Sequence, residues 1–487
     1  MLTADHEPRT AAELAEGVDP LAVEGLVDDT DLASEDGLPN APHSAIVITI
    51  ASLGFFLITL DISIVNVALP RIRTELGGGI TGQQWIIDGY TLLFATLLLF
   101  AGNLSDRVGA KRALALGIGI FTLTSAACAV APSTTLLIVA RCAQGAAAAI
   151  MLPASMALVR EAYPDPERRA RALGIWAVGG AVAGLVGQPL GGLLTTFNWR
   201  WVFTINLPIC IAMLVFLVWL ATSPKRPQPF DWTGQVLAIV GLSALVYGLI
   251  DGGHAGFGAT AVVVSLAIAV ASLAGFVFAQ ARVAHPMMPL ELFGVHGFRI
   301  ALLVGFAFMV GNYGNVFVTT LYLQQHLGLS PLHAGLVFIP SAFFAIAANL
   351  ASGVVTNRFG ARVPVVAGLL SMVFGLTAQL ILAPLGHPWL IAVCIIPIGA
   401  GGALAMPSVT SVVLDGVPAR QAGTASAVFN TFRQVGGAVA IAVFGALIAE
   451  PGSVDRGLRL SLGIAAALIT VAALNSLRIR PRTHAAG

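Results

Sequence analysis

Charge is scarce in this chain. Only 10% of its 487 residues are Asp, Glu, Lys or Arg, against 57% hydrophobic residues, where a soluble globular domain carries about 25% charged residues. With a mean hydropathy of +0.88, no core that a chain of this length can build would bury its apolar side chains without lipid. That excludes a single-span receptor, a monotopic enzyme and any nucleic-acid-binding protein. Cysteine is scarce as well. Cys128, Cys142, Cys210 and Cys394 all lie inside apolar runs and read as small buried hydrophobes, not as disulfides or metal ligands. No HExxH, GxSxG or P-loop sequence occurs, which leaves an enzyme without its motif and ATP drive without its phosphate loop. The N-terminus also lacks the basic-then-apolar order of a signal peptide.

What the chain has is apolar runs of membrane-spanning length. Spans are expected at 44–70, 81–102, 113–131, 135–159, 172–194, 202–221, 232–250, 259–280, 299–325, 334–356, 364–383, 389–412, 423–449 and 458–477. The runs are continuously apolar and do not alternate, so they predict helices and not a barrel. The fold class is an all-α polytopic membrane protein. Residues 1–43 stand apart: the first 40 hold eleven of the 24 acidic residues and one basic residue, Arg9, which predicts a disordered acidic cytoplasmic tail. A second short tail is expected at 478–487.

Lys and Arg set the orientation. The loops on one side hold five (Arg71, Arg73, Arg200, Arg456 and Arg459), and the segments on the other side hold seventeen. The rule that positive loops stay inside then predicts both termini in the cytoplasm. Trp85, Trp199, Trp201, Trp219, Trp232 and Trp389 fall at span ends and read as interfacial anchors.

An internal repeat organises the spans. Arg107-Val-Gly-Ala-Lys111 recurs as Arg358-Phe-Gly-Ala-Arg362, and Met151-Leu-Pro153-Ala-Ser155 recurs as Ala405-Met-Pro407-Ser408. The offsets, 251 and 254 residues, exceed a six-span half by one helical hairpin. The chain therefore divides into a six-helix bundle at 44–221, a linker with two extra helices at 222–298 and a second six-helix bundle at 299–477, a 6+2+6 architecture.

Between spans two and three lies Gly102-Asn-Leu-Ser-Asp106-Arg107-Val-Gly109-Ala-Lys111-Arg112. Gly102 and Gly109 allow close approach and a tight bend, and Asp106 can pair with Arg107, Lys111 or a helix N-terminus. The turn is either an ordinary charged loop or a gate whose pairs break as the halves move. Further segments accompany it: Leu60-Asp61-Ile-Ser-Ile-Val-Asn66-Val-Ala-Leu-Pro70, Trp85-Ile-Ile-Asp88-Gly-Tyr90-Thr-Leu92, Ala140-Arg141-Cys-Ala-Gln144-Gly145 and Gly187-Gln188-Pro189-Leu-Gly191-Gly192. Together, over almost the whole chain from residue 44, they resemble the fourteen-span drug:proton antiporter subfamily of the major facilitator superfamily. That group includes actinobacterial antibiotic exporters of the methylenomycin-resistance type. The resemblance implies the major facilitator fold, a place in the cell membrane and alternating access. It also assigns the span-one Asp and the span-four Arg to the subfamily pattern. The span-five motif departs from that pattern, with Gln188 where the subfamily usually has Gly before the proline. Gly184, Gly187, Pro189, Gly191 and Gly192 are present, so the bent, close-packed helix is expected to survive.

Four ionisable residues fall within spans: Asp61, Asp88, Arg141 and Arg433. Such residues usually face a cavity or pair with one another. At 1.5 Å per residue, Asp61, Asp88 and Arg141 lie roughly 10–13 Å below the outer surface, so they could form one proton-coupling cluster in which a carboxylate exchanges an Arg for a proton. The other reading gives Asp61 a helix-stapling role and leaves Asp88 merely interfacial, near the outer water. Arg433 has no acid in the spans of its own half. It either bonds carbonyls of a broken helix or faces the cavity and repels cations. Candidate cavity residues are Asn66, Tyr90, Trp176, Asn206, Phe308, Asn312, Tyr313, Tyr322, Asn430, Arg433 and Gln434, although each could equally serve helix packing.

The expected function is proton-coupled antiport exporting small hydrophobic or cationic drugs, with a transporter of a specific metabolite or secondary product as the alternative. No cofactor or metal is expected, the proton gradient being the energy source. Expected partners are an amphipathic or cationic small molecule, protons and the bilayer, for a chain acting as a monomer.

Overall fold

The computed structural model describes residues 41–225, 229–415, 417–418, 421–449 and 454–479. Most of the acidic N-terminal tail and residues 480–487 lie outside the described residues. Among the described residues there is no strand, and fourteen helices are long and apolar enough to cross a membrane. They are α1 (Ala41–Leu76), α2 (Gly79–Val108), α3 (Ala110–Ala129), α4 (Thr134–Ala162), α5 (Pro166–Phe197), α6 (Trp201–Val218), α7 (Trp232–Ala255), α8 (Thr260–Arg282), α9 (His296–His326), α10 (Pro331–Phe359), α11 (Arg362–Leu382), α12 (Pro388–Asp415), α13 (Ala422–Leu447) and α14 (Val454–Ser476). Every expected span is present.

The boundaries shift where local chemistry overrides hydropathy. α1 runs six residues past Pro70, because a proline near a helix end removes only one backbone bond. The extra turn is held by Glu75, which pairs with Arg200 and accepts a 2.8 Å hydrogen bond from Trp199. Trp199 is therefore buried, at 1% exposure, and is not an interfacial anchor; Trp201, Trp219, Trp232 and Trp389 are exposed. α5 begins at Asp165, whose side chain caps it by accepting from the Arg168 backbone N–H at 2.7 Å. α9 carries two π-helical turns, Val310–Gly314 and Tyr322–His326, a feature frequent at functional sites.

Small residues bring the helices together, as expected where lipid supplies no hydrophobic drive between them. α2 lies on α4 with Gly145 against the Tyr90 backbone, and α9 lies on α13 with Gly436 against the Phe306 backbone. α7 and α8 pack as a hairpin, and α7 rests on both α2 and α13 through Leu92, Val246, Ile250, Ala438 and Ala442.

Contacts between the first six and last six helices gather at the end of the bundle where α1 meets α2. Gln84 donates to the Ile441 and Ala442 carbonyls at 3.1 and 2.8 Å. Gln324 donates to the Val67 carbonyl at 3.0 Å, and Arg73 to Gln325 at 3.3 Å. Gly192 abuts the backbone of Pro331 there, as Gly335 abuts that of Gln188. Further along, α10 exposes Phe343, Leu350 and Val354.

Candidate functional site

Asp61 on α1 and Arg141 on α4 form a fully buried ion pair. Asp61 Oδ1 also accepts from Gln144 Nε2 and from Asn206 Nδ2, each at 3.1 Å. Gln144 in turn donates to Ser125 at 2.8 Å and accepts from Arg141 at 2.8 Å. The guanidinium also donates through Nε to the Ile86 carbonyl at 3.0 Å, and it lies 4.4 Å from the Tyr90 ring centroid. Five helices, α1, α2, α3, α4 and α6, thus join one buried network around this carboxylate. Such a pair is held by its hydrogen bonds as much as by Coulomb attraction, since desolvation of both ions opposes it.

Asp88 is not in this network. It is buried, with 0% exposure, and among the described residues neither of its oxygens has a hydrogen-bond partner. The expectation that it sits near outer water is corrected: Gln84 and Ala95, on the same stripe of α2, touch Ile441, Ala442 and Thr431 of α13, so the stripe is sealed against the other half. Asn206, expected to line a cavity, is fully buried and serves Asp61. Tyr90 is likewise buried beneath Arg141. Gln144 and Ser125 were missed as site residues. Gln144 stood in the span-four motif beside Arg141, and for Ser125 the signal was a polar side chain at matching depth on α3.

In the turn after α2, Gly109 takes φ +92 and lies against Ser223, where any side chain would be strained. Lys111 lies in the first turn of α3. Its ammonium meets the Leu220 carbonyl and, at 3.4 Å, that of Val218, at the end of α6. Its backbone N–H donates at 3.0 Å to Ser223, whose hydroxyl bonds Glu161 at 2.6 Å. Arg107 stacks over Phe230 at 5.1 Å, which ties the turn to the base of the α7–α8 hairpin. Gly102 has open space where close approach was expected. Arg112 remains at the start of α3.

In α5, Gly187 meets Ser63, Gly191 meets Ile64 and Gly192 meets Pro331, whereas Gly184 faces open space. Pro189 lies within the helix. Among the other cavity candidates, Trp176 stacks on Phe55 at 4.2 Å and donates to Ser155 at 3.2 Å. Asn66 bonds its own helix at Ile62. Tyr322 is buried and donates to the Ala383 carbonyl at 2.8 Å, which removes it from a cavity wall. Gln434 is buried, and its Oε1 has no partner among the described residues. Phe308, Asn312, Tyr313, Asn430 and Arg433 are partly exposed. Arg433 donates to Asn430 Oδ1 at 3.1 Å.

The sequence profile described as Major Facilitator Superfamily matches residues 51–441. The chain belongs to the Major Facilitator Superfamily. Among curated relatives, it is 35% identical over 420 residues to the methylenomycin A resistance protein of Streptomyces coelicolor, covering 86% of this chain and 88% of that one. It is 37% identical over 401 residues to the multidrug resistance protein Stp of Mycobacterium tuberculosis, covering 82% and 74%. A solved D-xylose–proton symporter shares the fold with a TM-score of 0.65 at 14% identity, over 91% of this chain and 99% of that one. This Major Facilitator Superfamily member is a multi-pass membrane transporter of small molecules and not an enzyme.

Proposed function

We propose that this transporter exports small amphipathic drugs or antibiotics across the cell membrane by exchange for protons, through alternating access of two six-helix halves, 44–221 and 299–477, with both termini in the cytoplasm. The observation that carries it is the Asp61–Arg141 pair with its amide partners. A proton on Asp61 discharges the pair and releases Arg141 to Gln144 and the Ile86 carbonyl, so one proton changes how five helices are tied. The names of the curated relatives, resistance proteins and an export protein for cephamycin, support an outward direction. The contacts at the α1–α2 end describe the state closed on that side, which the distribution of Lys and Arg makes the outer side.

In proteoliposomes, an outward-directed proton gradient (acidic lumen) should drive accumulation of an exported probe in the lumen, and a protonophore should collapse it. Accumulation that persists without any ion gradient overturns the reading. Orientation is tested by replacing native cysteines and labelling from outside. Single cysteines at Phe257 and His387 should react with an impermeant maleimide, and one at Gly360 should not; the reverse pattern inverts the topology.

A further inference from the structure

We propose that Arg433 is the receptor for an anionic group and that the substrates of this transporter are amphipathic molecules bearing a carboxylate or a comparably acidic group. This rests on the export reading above and names its substrate class.

The argument starts from the balance of charge inside the bundle. Asp61 and Arg141 cancel each other. Asp88 lies on the sealed α2 stripe, without an ion pair among the described residues. Arg433 is the remaining mid-span cation, about ten residues into its span, and no described carboxylate is in ion-pair contact with it. Its neighbours are poor substitutes for a counter-ion. Asn430 Oδ1 takes one N–H, Nε is buried with no partner among the described residues, and the Phe308 and Phe429 ring centroids lie 5.8 and 5.7 Å away. Gly305 leaves room for the side chain, since a Cβ there would sit 2.9 Å from Arg433 Cγ.

A guanidinium held at such depth with an unpaired N–H is unfavourable unless something completes it. Its planar fork matches a carboxylate, which can accept two parallel hydrogen bonds. Arg433 is partly exposed together with Phe308, Asn312, Tyr313 and Asn430, so part of its side chain is open to an incoming acceptor, while Nε itself is buried. Tyr313 also packs against the core of the first six helices, so an occupant beside Arg433 touches both halves. The aromatic rings flank the apolar body of the molecule. The same charge disfavours a cationic occupant, which replaces the expectation of cationic substrates.

The test uses purified protein in detergent, titrated at one pH with nalidixic acid and with its ethyl ester, with tryptophan fluorescence as readout. The acid should bind at least about tenfold more tightly than the ester, the size expected of a charge-assisted contact. Arg433→Gln should erase that preference while leaving ester affinity and melting temperature in place. If that variant does not fold, Arg433→Lys decides: loss of the fork should weaken acid binding several-fold and leave ester binding unmoved. Equal affinities in the wild type, absence of acid binding, or a preference that survives in these variants overturns the proposal. Gradient-driven uptake of both probes is scored separately. Failure of uptake alone counts against proton-coupled export and leaves the binding preference to judge Arg433.

Discussion

The two sets of six helices share a layout but not an interior. In the first set, Asp61 and Arg141 neutralise each other and five helices meet their hydrogen-bonding needs. In the second, Arg433 has one amide and two ring faces. The first is a closed, self-satisfied pair, proposed above as the proton switch. An open cation waits for a ligand. On the proposed reading, coupling belongs to the first half and recognition to the second, and α2 meets α13 in a seam between them.

The largest way to break it is Asp61→Asn. The variant keeps the shape and removes the charge that Arg141 faces. Breaking a buried pair from one side costs about 3–5 kcal/mol, so the melting temperature should fall, while gradient-driven accumulation should drop about a hundredfold or more. Downhill equilibration of the same probe should remain measurable. Undiminished gradient-driven accumulation would take the proton step away from this pair.

A smaller effect is expected from Asn206→Ala, which removes one of the two amides on Asp61 Oδ1. Hydrogen bonds to charged groups are worth about 1.5–3 kcal/mol, so transport should fall about tenfold, with a shifted pH profile. In a double-mutant cycle, Asn206→Ala should lose most of its effect in an Asp61→Asn background. Additive effects would make Asn206 an ordinary packing residue.

These residues also mark how far the sequence could be read. Fourteen spans were legible because each is a long apolar run, and Asp61 with Arg141 was legible because depth can be counted along a helix. Asn206 was visible as polar but was placed in a cavity, since depth along α6 does not say which way a side chain turns. Asp88 was placed near water for the same reason: position along α2 was known, and the seal from α13 was not. Trp199 looked like an interfacial anchor until Glu75, over a hundred residues away, supplied its acceptor. Pairings between helices distant in sequence are the information that periodicity and charge counting do not hold.

The seam between the halves is probed by Gln84→Leu. Its amide spans from α2 to two carbonyls of α13, and neutral hydrogen bonds contribute about 0.5–1.5 kcal/mol each. Their loss should shift the population several-fold toward the state open at the α1–α2 end, seen as a longer distance between spin labels at Thr74 and His326. An unchanged distance distribution would show that the tight α5–α10 contact holds that end alone.

The smallest effect sharpens the comparison within one helix. Gly184 and Gly187 are three residues apart in α5 and were expected to act together, yet a Cβ at Gly184 meets nothing within 4 Å, while one at Gly187 drives into the Ser63 side chain at 2.6 Å. Gly184→Ala should therefore leave stability and transport within about 0.5 kcal/mol of the native protein, or raise stability slightly, because alanine favours a helix over glycine by roughly 1 kcal/mol in water. Gly187→Ala pushes α5 away from α1, the helix that carries Asp61 two residues before Ser63. It should lower the melting temperature and slow transport, typically by the 1–3 kcal/mol of an overpacked contact. Thermal unfolding and transport rate of the two variants side by side make the measurement. Equal damage from both would mean that α5 meets a partner on its Gly184 face in another state of the cycle, and the helix would then be read as a surface that changes neighbours as the halves alternate.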